Sequence, residues 1–98
     1  MMGKMYLLEC NGSYKIGITT RSIKNRIKNL QTGNPYIISL VFHKACVNYV
    51  DMEKYFHNKF ADKRLVGEWF ALDKKDVEYV MNCRLYSIFK SKREEIIE

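Results

Sequence analysis

No stretch of these 98 residues is apolar for long enough to cross a bilayer as a helix, which excludes a membrane-spanning helix. The first five residues hold no apolar run of signal-peptide length, so export is not expected. Internal repeats and low-complexity segments are absent, which leaves one domain over residues 1–98. Cysteine is scarce: Cys10, Cys46 and Cys83 are odd in number and widely spaced. They match neither a paired zinc-ligand pattern nor a disulfide framework, and buried, reduced thiols of a cytoplasmic protein are expected. Acidic residues are also few. Eleven stand against seventeen basic ones, a formal charge of +6. That surplus favours a polyanionic partner, nucleic acid or an acidic surface, although many small basic domains have none.

What is present reads as alternating short elements. An apolar run over residues 5–9 ends at Asn11-Gly12, a pair that tolerates the positive φ of a tight hairpin turn. Residues 14–19 return as a second strand. Strand alternation puts Tyr14, Ile16 and Ile18 on one face and Lys15, Gly17 and Thr19 on the other. Thr19 or Thr20 is the expected cap of a helix over 21–31 with Ile23, Ile27 and Leu30 as its apolar stripe. Gly33 and Pro35 stop it. Residues 36–45 are the longest β-like run and predict a third strand.

Asn48 is the expected cap of a second helix to residue 60, with Met52, Phe56 and Phe60 buried. Glu53 and His57, four apart, share an edge beside that stripe. A polar connector over 61–67 leads to a brief extended segment, 68–72, expected to put Trp69 and Phe70 in the core. Asp73 and Asp76 predict a capping box for a C-terminal helix over about 74–93. Its face is read as Val77, Val80, Met81, Arg84, Leu85 and Ile88, and a charged tail follows from Ser91. The order β-β-α-β-α-(β)-α predicts an α+β fold with a small, mostly antiparallel, three-stranded sheet flanked by helices, its core over about 5–72.

Tyr6, Tyr14-Lys15-Ile16-Gly17, Arg26, the turn from Gln31 to Pro35, Glu53 with His57, and Glu68-Trp69-Phe70 follow one another in an order that resembles the GIY-YIG nuclease superfamily, in its small phage-type (orf172-like) branch. Tyr6 stands at the tyrosine of the first motif, whose glycine and isoleucine are altered. Lys15-Ile16-Gly17 is similar to the second motif, with lysine in place of its tyrosine, and the family's late asparagine has no match.

The resemblance implies hydrolysis of a phosphodiester bond with one divalent cation, Mg²⁺ or Mn²⁺. Tyr6 would assist deprotonation of water, Arg26 would neutralise charge on phosphate, and Glu53 would hold the cation. Lys15 would bond phosphate or take a proton. His57 is open between metal ligand, general acid and a hydrogen-bonded flank residue. Gly17 would let a phosphate approach the sheet, and Arg21, Lys24 and Lys28 would contact nucleic acid, DNA by the family's habit.

Each residue also has an ordinary reading: Tyr6 as a core aromatic, Arg26 within a solvated basic face, Glu68 as a salt-bridge partner of a nearby cation. The alternatives to a nuclease are a degenerate nucleic-acid-binding module that keeps the fold and the cationic helix, and a virus-encoded interaction factor docking through the sheet or the third helix, which an exposed apolar stripe over 77–89 would favour. Without a second module, sequence specificity calls for a homodimer or a distorted or single-stranded substrate.

Overall fold

Asn11 and Gly12 both adopt positive φ, 50° and 86°, and turn β1 (Gly3–Cys10) into β2 (Ser13–Thr19). This computed structural model describes residues 2–86. After the hairpin come α1 (Ile23–Gln31), β3 (Ile38–Cys46), α2 (Tyr49–Lys59), a 3₁₀ turn (Ala61–Lys63), β4 (Trp69–Phe70) and α3 (Lys74–Met81). The sheet runs β3-β1-β2-β4, antiparallel throughout. It has four strands, not the three expected, because Tyr14 pairs with Phe70 and Lys15 with Trp69.

β1 is central and covered on both faces, which explains why Met5-Tyr6-Leu7-Leu8 is apolar in succession rather than alternating. Met5, Leu7 and Ile16 point to the α2 and α3 side, where Met52, Phe56 and Val80 meet them. Tyr14 packs against that cluster from the same face. Tyr6, Leu8 and Cys10 point the other way, toward Ile23 and Ile38, with Ile27, Leu30 and Trp69 packed alongside. Burial of each such side chain contributes roughly 1.5–3 kcal/mol. Phe70 is fully buried, whereas Trp69 is only half-buried.

Several boundaries differ from the sequence expectation. Ser22, not Thr19 or Thr20, caps α1: its side chain accepts from the Asn25 N–H, while the Thr19 hydroxyl accepts from the Arg21 N–H. β3 begins at Ile38, after an exposed Tyr36-Ile37. Asn48 occupies the start of α2 but makes no side-chain cap bond, and its amide donates to the Leu85 carbonyl instead. The Asp73–Asp76 capping box forms in both directions. α3 ends at Met81, which is exposed, as is Arg84; the helix expected over 74–93 is shorter, since residues 82–84 are not helical, and Ile88 with the other residues from 87 on lies outside the described residues. Cys10 and Cys46 are buried, Cys83 half-buried, and all three are free thiols. Among the described residues no helix is long and apolar enough to cross a membrane.

Candidate functional site

The hairpin register sets Tyr6 directly opposite Gly17. The Tyr6 ring lies over that glycine so closely that a Cβ built on Gly17 would fall 2.5 Å from Tyr6 Cζ. The expectation that Gly17 makes room for a phosphate is therefore corrected: the room is taken by Tyr6. Tyr6 is 1% exposed, and its hydroxyl accepts from Arg26 Nε at 3.2 Å. That bond holds the Arg26 proton more tightly than usual, with the Glu68 carboxylate adding in the same direction.

A second group of charges gathers at the open edge of β2, where β4 is only two residues long. The Ile16 N–H donates to the Glu68 carbonyl at 3.2 Å, and the Ile16 carbonyl faces His57 Nε2 at 2.9 Å. Arg64 Nη2 lies 2.9 Å from His57 Nδ1. A carbonyl only accepts and a guanidinium only donates, so His57 must carry its proton on Nε2 and accept at Nδ1. Both ring nitrogens are thereby committed. His57 is thus hydrogen-bonded on the flank of α2.

Glu68 extends its carboxylate to Lys15, with Nζ–Oε1 at 2.9 Å. Lys15 is 7% exposed and its ammonium stands 5.9 Å from the centre of the Trp69 ring. Glu53, one turn before His57, completes the group. Single ligand atoms of Glu53, His57 and Glu68 all lie within 4.8 Å of one another. Burial pushes the Glu53 carboxyl above its ordinary range, and the Glu68 carboxylate adds to the rise; His57 and Lys15 offset part of it. With His57 committed, the donors left are two carboxylates side by side. Oxygen ligands of that kind fit a hard divalent cation, which keeps most of its waters and needs few protein ligands.

Arg21, Arg26 and Lys28 line a groove of about 800 Å³ with Asn25, Asn29 and Tyr49. Lys24 lies outside this groove, beside Ile27 and Leu40, and lines with Lys28 a neighbouring hollow on α1, so Lys28 borders both.

Residues 3–84 match the T5orf172 domain. The chain belongs to the T5orf172 domain family. This domain occurs in phage and nuclease-like proteins. No curated protein and no solved structure matches the chain significantly. Two residues of this T5orf172 domain escape a reading of the sequence for chemistry. Glu68 is legible there as part of the Glu68-Trp69-Phe70 segment but without an assigned role, because its nearness to Glu53 depends on β4 pairing with β2. Arg64 sits in the connector with no periodicity to mark it, and its role emerges only from the contact with His57.

Proposed function

We propose that this T5orf172 domain is a GIY-YIG-like, divalent-metal-dependent endonuclease that hydrolyses nucleic-acid phosphodiester bonds, DNA being favoured. The observation that carries this reading is the pairing of Glu53 with Glu68 beside Lys15, near the Tyr6–Arg26 pair. Glu53 and Glu68 would hold one Mg²⁺ or Mn²⁺ ion, which supplies Lewis-acid stabilisation of charge on the phosphate. Arg26, held by Tyr6, offers its remaining N–H groups to non-bridging phosphate oxygens. The Tyr6 hydroxyl, oriented by that bond, assists removal of a proton from water. His57 positions rather than reacts, tying α2 to the β2 edge and so fixing Glu53 one turn away. The groove lined by Arg21, Arg26 and Lys28 receives the nucleic-acid backbone. A homodimer would supply the specificity that one such groove lacks.

The test is cleavage of single- and double-stranded DNA and RNA with Mg²⁺ or Mn²⁺, alongside folded Glu53→Ala and Arg26→Ala proteins. Metal-dependent cutting lost in both variants, by roughly 100-fold or more, is the expected result. Cutting that survives both sinks the assignment.

One observation favours a second reading, a non-catalytic nucleic-acid-binding module. Lys15 already neutralises Glu68, and Tyr6 is buried. Salt-sensitive binding on every substrate with no cutting on any would select it. For the docking-factor alternative, α3 buries Val80 in the core and exposes Tyr79 and Met81, and the residues from 87 on lie outside the described residues.

A further inference from the structure

Lys15 does something at this site that neither carboxylate explains. Its cross-strand neighbours are Leu8 on β1 and Trp69 on β4. Its ammonium is almost wholly removed from water, and its hydrogen bond goes to Glu68 Oε1. Burying an ammonium is costly unless it is paired, so Lys15 is bound to this carboxylate pair as firmly as the pair is bound to it. Of the other cations nearby, Arg26 feels the Glu68 carboxylate but spends its hydrogen bond on Tyr6, and Arg64 donates to His57.

We infer that Lys15 is the built-in counter-ion of the Glu53–Glu68 pair and competes with a divalent cation for it, setting the concentration at which the site loads. The inference rests on the proposed assignment of those carboxylates to a cation. Two carboxylates and one ammonium leave a single negative charge, so a divalent ion entering beside Lys15 leaves the site positive. Without the ammonium the same ion is neutralised in full. A lysine head on a flexible four-carbon stem is also the side chain best able to swing away when the ion arrives.

The test is calorimetric titration of Mn²⁺ into the full chain at fixed pH, with circular dichroism to verify folding. Lys15→Met is expected to bind Mn²⁺ about tenfold tighter than wild type, equivalent to ~1.4 kcal/mol. Lys15→Arg, which keeps the charge, is expected to stay near wild type. Adding Glu53→Gln or Glu68→Gln to Lys15→Met is expected to abolish the gain. If Lys15→Met does not fold, Lys15→Gln serves in its place. Equal or weaker affinity in the neutral variant overturns the inference, as does a gain that survives both glutamine substitutions. Affinities in the expected order without cleavage keep the counter-ion and sink the nuclease. Metal-dependent cleavage with affinity indifferent to Lys15 does the reverse, and no Mn²⁺ binding by any protein overturns both.

Discussion

Gly17 lacks a side chain because Tyr6 lies across it, and that single contact joins the fold to the chemistry. Gly17→Ala is expected to cost about 1–3 kcal/mol by overpacking and to displace the Tyr6 hydroxyl from Arg26; a thermal melt unchanged from wild type would count against the close contact. Glu53 carries a different load. Its carboxyl sits above the ordinary value of 4.5 in the folded protein, through burial and the neighbouring Glu68. The folded state therefore binds this proton more tightly than the unfolded chain. Its favourable contribution is complete below the ordinary value and is lost as pH rises through the raised one. Without divalent cation, Glu53→Gln should raise the melting temperature at neutral pH and lose that advantage in acid. Melts from about pH 3 to about pH 8 check this, and an advantage independent of pH would contradict it. Tyr6, Arg26 and Glu53 are legible as candidates in the sequence because their residue types and order are suggestive. The fate of His57 is not, since its partners Ile16 and Arg64 are 41 and 7 residues away and only geometry forces its tautomer.

At the scale of elements, α1 is lightly held. Only Ile23 is buried, with Ile27 and Leu30 half-buried against the sheet, so its N-cap matters for the placing of Arg26. Ser22→Ala should cost about 0.5–1 kcal/mol, and it should lower hydrogen-exchange protection in α1 more than in β1. Equal loss across both would mean that the cap serves the whole fold rather than this helix. The hairpin, the α2 stripe and the α3 capping box are legible because turn dihedrals, helical period and caps depend on near neighbours in the chain. The cap of α1 is misread for a local reason: Thr19, Thr20 and Ser22 all qualify, and the Thr19 hydroxyl is drawn instead to the Arg21 N–H. β4 is too short to declare itself by pattern. Yet its two residues decide the site, because they end at Lys15 and leave the next stretch of β2 open to Glu68 and His57.

For the molecule as a whole, the surplus of six positive charges acts at long range, and the fold decides where it is concentrated. Arg21 and Lys28 share a groove with Arg26, while Lys24 lies outside it, one helical turn from Lys28. In fluorescence-anisotropy titrations across sodium chloride, Arg21→Ala and Lys28→Ala should each weaken DNA binding and flatten the log–log salt slope by about 1. Lys24→Ala should change the slope less. Equal effects at all three positions would show that net charge, not the groove, drives binding. The order of elements, the helix and strand faces and the basic surplus can be read along the chain, because each follows from local conformational preference or simple counting. It took the folded sheet to put Glu68 beside Glu53, to bury Lys15 between Glu68 and Trp69, and to lay Tyr6 rather than a ligand over Gly17. Those are outcomes of strand register, in which a shift of one residue turns every side chain to the other face, and register is settled by the packing of both faces at once.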